Sequence, residues 1–415
     1  MLLVGCISTI GKESKMAGRK SKRKKSLVQL LFPKDVKKLS KRDQQKRKLV
    51  ILGIEAVCLL VLLVVLFVWS LWSKINTDSG FGGADAGINE DLGDDTLLRL
   101  KGYTNIAVFG LDNRGNGKYD QGNSDVIMIA SINNKTKEVK LVSVYRDTYL
   151  SVGNGKYGKA NSAYARGGAK QAVQMLNANL DLNIKEYMCV DWGAVTEAVD
   201  ALGGVEIEIT EQERVIINDL LIEIDRTVGA DSPRIKSAGL NNLTGTQATA
   251  YARIRKTAGD DFKRSSRQRI VLEAMLNKAK QSDIKTLLDI CNAVFDDVST
   301  SLTLSEIIGL ARHVKEYSIG STTGFPFEIT TKDLSNAGDS VVPIGLEDDV
   351  SMLHAYLFGT ENYEPSRTVQ AISDAIVQKS GVTEDYKSIN VEGFNDTAGQ
   401  SGTVFKEEES TEKED

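Results

Sequence analysis

Histidine and cysteine are scarce in this chain. Two histidines, His313 and His354, among 415 residues exclude most imidazole-built zinc sites and leave little material for a Ser-His-Asp triad. Four scattered cysteines (Cys6, Cys58, Cys189 and Cys291) exclude a disulfide-dense scaffold or a four-cysteine metal knuckle. Five prolines exclude a proline-rich linker protein. No Walker A loop and no Gly-x-Gly-x-x-Gly fingerprint is present, which disfavours a nucleotide-driven engine. With 41% apolar and 26% charged residues, the chain fits neither a disordered protein nor a multi-span transporter. What remains is the chemistry of carboxylates, Arg/Lys and hydroxyls.

Charge is distributed unevenly. Between Lys12 and Lys48 there are 16 Lys/Arg against three acids, whereas residues 73–415 hold 36 Lys/Arg against 52 acids. The sign changes across Leu49 to Trp72, the one long apolar run, whose length of roughly 36 Å as a helix exceeds the ~30 Å hydrocarbon core. Trp69 and Trp72 sit where an interfacial aromatic belt is expected, and Glu55 lies near the basic end. The positive-inside rule puts residues 1–48 in the cytoplasm and everything after 72 outside, so 49–72 reads as a signal anchor. The basic segment lacks interleaved aromatics and abuts the span, so an anionic leaflet is its expected partner and nucleic acid is not. Met16-Ala-Gly-Arg-Lys reads like a natural start.

Residues 73–100, rich in Gly and Asp, read as a linker. From 101 to about 360 strand and helix patterns alternate: strands at 105–111, 125–132 and 139–145, the last two joined by a hairpin; a helix over 159–180; a strand at 187–192, a helix at 194–202 and a strand at 205–209. Helices near 211–224, 244–252, 265–280 and 303–317, strands near 325–329 and 340–344, and a helix at 347–358 complete the domain. The alternation predicts a mixed α/β layer fold, a central sheet flanked by helices. Residues 361–415 turn polar and acidic and read as a disordered tail.

Several groupings carry chemistry. Arg253 and Arg255 flank Ile254, which on an extended segment points both guanidinia to one side. Arg264, Arg267 and Gln268 share a helix face at i, i+3 and i+4. Together they read either as a polyanion clamp, since Arg forks suit bidentate phosphate binding, or as a solvated basic face paired with Asp260 and Asp261. Asp112 and Asp125, at loop–strand junctions, suit Mg²⁺ ligation or ordinary turn chemistry. Arg146-Asp147 ends a strand either as an internal salt bridge or as an arginine aimed at phosphate. Cys189 and Cys291 are a possible disulfide, with Cys189 as a buried small hydrophobe the alternative.

In this order the pieces resemble the LytR-CpsA-Psr family of bacterial cell-wall proteins. The carriers are Gly110-Leu111-Asp112-Asn113-Arg114, Ser124-Asp125-Val126-Ile127-Met128, Ser143-Val144-Tyr145-Arg146-Asp147-Thr148 and Lys159-Ala160-Asn161-Ser162-Ala163-Tyr164. Downstream follow Val199-Asp200-Ala201-Leu202-Gly203-Gly204-Val205, Ala250-Tyr251-Ala252-Arg253-Ile254-Arg255 and Asp261-Phe262-Lys263-Arg264-Ser265-Ser266-Arg267-Gln268. Ala160 stands where the family usually has Ile, and Thr249 where Leu is common. The resemblance implies an α-β-α fold and an enzyme that transfers a glycopolymer from an undecaprenyl-pyrophosphate carrier to the C6 hydroxyl of N-acetylmuramic acid in peptidoglycan, forming a phosphodiester. By the family pattern Asp112 and Asp125 hold Mg²⁺ (or Mn²⁺), and Arg146, Arg253, Arg255, Arg264 and Gln268 grip the phosphates. Arg114, Lys159 and Arg267 are further binding candidates, and Asp125 or Asp147 assists deprotonation of the acceptor. The prenyl chain needs an apolar pocket, for which the apolar faces of 172–180, 194–202 and 265–276 are candidate walls, core packing being the default reading of any such stripe. The competing expectations are a non-catalytic scaffold or sensor for lipid-linked polymer, and a regulator acting through the basic arm.

Overall fold

Strand periodicity becomes the middle of a seven-stranded sheet in the computed structural model. The model describes residues 81, 83–111, 122–228, 231–255, 260–294 and 297–389, together with 76–77 and a few residues between 42 and 62. The chain divides into two units, Met1–Trp69 and Ser70–Asp415. In the first, the described residues are helical, and Leu49, Leu52, Leu59 and Leu62 among them are exposed. Most of the basic segment 1–48 and of the span expected over 49–72 falls outside the described residues. Among those described, no helix is long and apolar enough to cross a membrane.

In the second unit the elements begin β1 (Asn76–Thr77), α1 (Asp94–Leu100), β2 (Tyr103–Leu111), β3 (Ser124–Asn133), β4 (Glu138–Val144), β5 (Tyr149–Gly153), β6 (Lys156–Lys159) and α2 (Asn161–Leu180). Then come β7 (Glu186–Asp191), α3 (Trp192–Ala201), β8 (Val205–Ile209), α4 (Glu211–Val228), β9 (Gly239–Leu243), α5 (Gly245–Ala252), α6 (Asp260–Gln281) and α7 (Ile284–Val294). The unit ends with β10 (Val298–Thr300), α8 (Leu304–Arg312), β11 (Ser318–Phe325), β12 (Ile329–Leu334), β13 (Gly338–Pro343), α9 (Leu346–Phe358) and α10 (Arg367–Ser380). The main sheet has the order β1-β10-β7-β2-β3-β4-β11. Strands β2, β4, β7 and β11 run one way and β3 the other, so the sheet is mixed, as the alternating pattern predicts.

Successive side chains of a strand point to opposite faces, and here both faces are covered. On one, Ala107, Phe109, Leu111, Ile127 and Ile129 pack with Val173 and Leu176 of α2 and Leu353 and Leu357 of α9. On the other, Ile106, Val108, Met128 and Leu141 meet Leu272 and Leu276 of α6 and Leu310 of α8. A further core joins α3, α4, α5 and α6 through Val199, Ile217, Leu221, Tyr251 and Val271. The helix expected over 159–180 is bent: Gly168 adopts φ 64°, ψ −159°, a conformation that L side chains rarely adopt. Cys189 and Cys291, expected as a possible disulfide, are both free, and Cys189 is buried with its Sγ accepting from the Tyr164 hydroxyl.

Two boundaries differ from the sequence reading. Residues from 81 onward in the expected linker 73–100 pack: Phe81, Ala86, Leu92 and Leu100 belong to the main core, and Asn177 donates to the Ala86 carbonyl at 2.8 Å. The expected tail 361–415 contains α10, whose Val369, Ile372 and Ile376 are buried in the same core, so the fold extends past residue 360 to the last described residue, 389. Both segments are polar overall and hold apolar anchors singly, a pattern that becomes structure only when a partner face is supplied. The remaining residues, 390–415, lie outside the described set.

Candidate active site

The parallel strands β2, β4 and β7 end on one side of the sheet, where β3 begins; the register pairs Leu111 with both Ser124 and Asp191. Loops at the carboxyl ends of such strands are where sheets of this kind place ligands. Asp125 opens β3 there, Arg146 and Asp147 follow β4, and Lys159 closes β6. Arg253 and Arg255 follow α5, and Arg264 lies on the first turns of α6.

These elements converge for an identifiable reason. Tyr145 and Phe262 meet edge to face with ring centroids 4.6 Å apart, which brings each ring's sequence neighbour, Arg146 and Asp261, together. The Arg146 guanidinium donates from Nη2 to Asp261 Oδ2 at 3.0 Å, from Nη1 to Asp125 Oδ1 at 2.8 Å and from Nε to Asp147 Oδ2 at 3.3 Å. Lys159 Nζ holds the other Asp147 oxygen at 3.0 Å, and Arg255 Nη2 lies 3.5 Å from Asp125 Oδ2. Arg264 completes the set, with Nη1 3.3 Å from Asp261 Oδ1 and Nη2 donating to the Asp125 carbonyl. Four cations therefore share three carboxylates.

Burial alone would discharge such groups, and their neighbours decide the outcome. Burial lowers the Arg146 guanidinium, yet Asp261, Asp125 and Asp147 outweigh it and raise its pKa. Burial likewise raises the Asp261 carboxyl, but Arg264 and Arg146 hold it below the usual carboxylate range. For Arg264, burial wins and the pKa falls; its side chain is only 4% exposed, and its buried Nε lacks a hydrogen-bond partner.

A cleft of about 360 Å³ opens onto these groups. Asp125, Arg253, Arg255 and Arg264 line one part, and Trp192 of α3 with Ile216, Asp219, Leu220 and Glu223 of α4 line the rest. Trp192 also borders a second, apolar pocket of about 60 Å³ between the sheet and helices α3 and α6, walled by Val108, Val126, Met128, Val195, Val271 and Leu272. Gly110 forms part of this wall; a Cβ there would stand 2.6 Å from Val126 Cγ2, so the residue must be glycine for the strands to approach as they do. The apolar faces of 194–202 and 265–276 thus border the pocket as expected. That of 172–180 does not, because α2 packs in the core on the other face of the sheet.

Of the residues singled out in the sequence, Asp125, Arg146, Asp147, Lys159, Arg253, Arg255 and Arg264 come together here. Asp112 and Arg114 lie outside the described residues. Arg253 and Arg255 both line the cleft while Ile254 between them is fully buried, although Arg253 caps α5 in a helical conformation, φ −97° and ψ −3°, and not on the extended segment that the spacing argument assumes. Arg267 is elsewhere: its Nε is 2.8 Å from Glu213 Oε1, its Nη1 donates to the Ile254 carbonyl, and it stacks over Tyr251, so it does not line the cleft. Gln268 borders the apolar pocket, where its buried Nε2 has no partner. Asp261, expected only as a carboxylate pairing with the basic face, pairs with Arg264 and also with Arg146, which brings it into the site. The signal available for it was the i, i+3 spacing to Arg264, which places the two on one helix face. Among the described residues no cluster of three or more His, Cys, Asp or Glu side chains is placed to hold a metal. Asp125 is the carboxylate on the arginine side of the cleft, Asp219 and Glu223 lying on its α4 side, and one carboxylate joined by phosphate oxygens and water is a set that Mg²⁺ accepts.

Comparisons with known proteins fit this geometry. The model of the LytR_cpsA_psr family matches residues 85–343. The polyisoprenyl-teichoic acid–peptidoglycan teichoic acid transferase TagU of Enterococcus faecalis is 31% identical over 217 residues, covering 52% of this chain and 66% of the relative. The protein of the same name from Bacillus cereus is 35% identical over 214 residues, 51% of this chain and 64% of the relative. The match thus spans a little under two thirds of each relative's length. Among solved structures, protein gbs0355 of Streptococcus agalactiae superposes with a TM-score of 0.55 at 21% identity, over 67% of this chain and 95% of the other. TagT of Bacillus subtilis does so with 0.50 at 21% identity, over 69% and 100%. These two likenesses show the fold.

Proposed function

The chain belongs to the LytR-CpsA-Psr family, and on that premise we propose that it is a phosphotransferase moving a glycopolymer from an undecaprenyl-pyrophosphate carrier to peptidoglycan. The observation that carries this reading is a cleft lined by Arg253, Arg255 and Arg264, with Arg146 paired to its Asp125, beside an apolar pocket, because a prenyl pyrophosphate joins the same two chemistries. The relatives' names supply the polymer class, teichoic acid, and the acceptor, peptidoglycan; a capsular polysaccharide has the same linkage chemistry. The relatives come from Gram-positive bacteria. With the charge asymmetry about 49–72, this supports a single-pass anchor with a cytoplasmic N-terminus and a catalytic domain outside the cell.

In the reaction, the C6 hydroxyl of N-acetylmuramic acid attacks the sugar-side phosphorus. The new P–O bond forms as the bond to the bridging oxygen breaks, and prenyl monophosphate leaves with that electron pair. Phosphoryl transfer demands positioning and charge neutralisation more than covalent catalysis. Arg146, Arg253, Arg255 and Arg264 serve both needs, with Arg146, Arg255 and Arg264 exchanging their carboxylate partners for phosphate oxygens. Lys159 steadies Asp147, and Asp147 or Asp125 accepts the hydroxyl proton. Gln268 borders the apolar pocket with its Nε2 unpartnered, a donor available to the head of a prenyl pyrophosphate. Mg²⁺ or Mn²⁺ would be held by Asp125, with Asp112 as the expected second ligand, and would neutralise charge on the pyrophosphate.

The test uses the full chain in detergent with Mg²⁺, a polyprenyl-pyrophosphate oligosaccharide and peptidoglycan oligomers, read by mass spectrometry. The expected product is sugar joined to the glycan through one phosphate, reduced at least about 100-fold in Arg146→Ala. In Leu272→Trp, which fills the apolar pocket, prenyl donors should bind more weakly while inorganic pyrophosphate binds as before. Tight donor binding without any product would leave a scaffold in place of an enzyme.

A further inference from the structure

Arg267 belongs to the arginine motif yet faces away from the cleft. Its Nε and the Glu213 carboxylate, 6% and 13% exposed, form an ion pair at 2.8 Å. Each partner is also bound to a different wall of the site. Glu213 Oε2 accepts from the Thr210 amide at 3.0 Å and its hydroxyl at 3.1 Å, capping the start of α4, the helix that presents Ile216, Asp219, Leu220 and Glu223 to the cleft. Arg267 Nη1 donates to the carbonyl of Ile254, the residue between Arg253 and Arg255. Arg267 itself sits three residues from Arg264 on α6.

One buried pair therefore ties together α4, the 253–255 segment and α6, the three pieces that carry most of the cleft lining. We infer that Glu213 and Arg267 are positioning residues that set the reach of Arg253 and Arg255 toward a bound pyrophosphate. The inference rests on the anion-clamp reading of the cleft. Its physical basis is that a carbonyl held from one side fixes its peptide plane, and with it the directions of both flanking side chains. A clamp displaced by even 1 Å loses much of its advantage.

Two measurements on the full chain in detergent separate this role from the alternatives, using Glu213→Gln, Arg267→Gln and the control Thr210→Ala. Thr210→Ala removes the hydroxyl bonds of the α4 cap, one of them to Glu213 Oε2, and keeps the Thr210 amide bond to that oxygen and the Glu213 Oε1–Arg267 Nε pair. Amide exchange at 253–255 reads positioning with no ligand present, and calorimetry reads affinity for inorganic pyrophosphate. In Glu213→Gln and Arg267→Gln, exchange at 253–255 should quicken several-fold and pyrophosphate should bind about tenfold more weakly. Thr210→Ala, even with a comparable fall in Tm, should keep both at the wild-type level. If Arg267→Gln does not fold, the milder Glu213→Gln decides alone. Unchanged exchange in folded Glu213→Gln would overturn the inference, as would equal losses in Thr210→Ala. Tighter pyrophosphate binding in Glu213→Gln would overturn it too, since it would mean that the freed Arg267 contacts phosphate directly. Should wild type not bind pyrophosphate at all, the clamp reading fails, while the exchange data still decide whether the pair positions 253–255.

Discussion

Arg146 is held by three carboxylates at once, yet its side chain is 21% exposed. Ion pairs open to solvent contribute at most about 1 kcal/mol each, so the network's main effect is geometric: it fixes the guanidinium among Asp125, Asp147 and Asp261. His354 shows the opposite balance. It is 1% exposed, stacked on Tyr363 at 3.7 Å, with Nε2 3.0 Å from the Leu180 carbonyl. Burial pushes its pKa down to about 4, against the raising effect of that carbonyl. An unfolded histidine titrates near 6.5, so between these values the unfolded chain binds a proton that the folded chain refuses. The stability contributed by the neutral ring is complete above pH 6.5 and is lost as the pH falls toward 4, on the order of 3 kcal/mol in all. Denaturant midpoints across that window should fall in the wild type. They should fall less in His354→Gln, which keeps a donor for Leu180 without titrating; parallel slopes would contradict this.

At the scale of elements, α10 is the sharpest case of structure that polar composition conceals. Its anchors, Val369, Ile372 and Ile376, recur at i, i+3 and i+7 in a helix that is otherwise mostly polar or small, and each buried side chain of this kind stabilises by roughly 1.5–3 kcal/mol. Ahead of α10, Asp181 is wholly buried and accepts from Ser366 N and Oγ, the Tyr363 hydroxyl and Asn89. Removing those donors strands a buried carboxylate. A chain stopped after residue 361 should lose more than about 10 °C in Tm or fail to fold, whereas one stopped after 389 keeps every described contact and should melt within a few degrees of the full chain. Equal melting of the two would remove α10 from the fold's stability. The central strands were legible because alternating apolar residues state their own periodicity. The packed stretches at 81–100 and 361–389 were not, because their few anchors have meaning only against a partner.

For the whole molecule, the site was legible to the extent that each residue's role lay in its own motif. Ile254 between two arginines predicted their common direction, though not the helical conformation of Arg253. The grouping of Arg264, Arg267 and Gln268 was only half informative: i, i+3 and i+4 spread the side chains over about 100° of helix circumference. Across that arc lie the cleft, the pair with Glu213 and the apolar pocket. Asp261 was passed over because a carboxylate next to arginines looks the same in sequence whether it is solvated or central. Under the proposed function, this cleft transfers the sugar-side phosphate of a prenyl pyrophosphate to peptidoglycan. Phosphorus NMR of the donor during turnover by the full chain follows that transfer. The two pyrophosphate resonances should give way to one prenyl monophosphate and one phosphodiester, only when peptidoglycan is present. Resonances that persist while the donor is bound, or monophosphates that form equally without peptidoglycan, would contradict it.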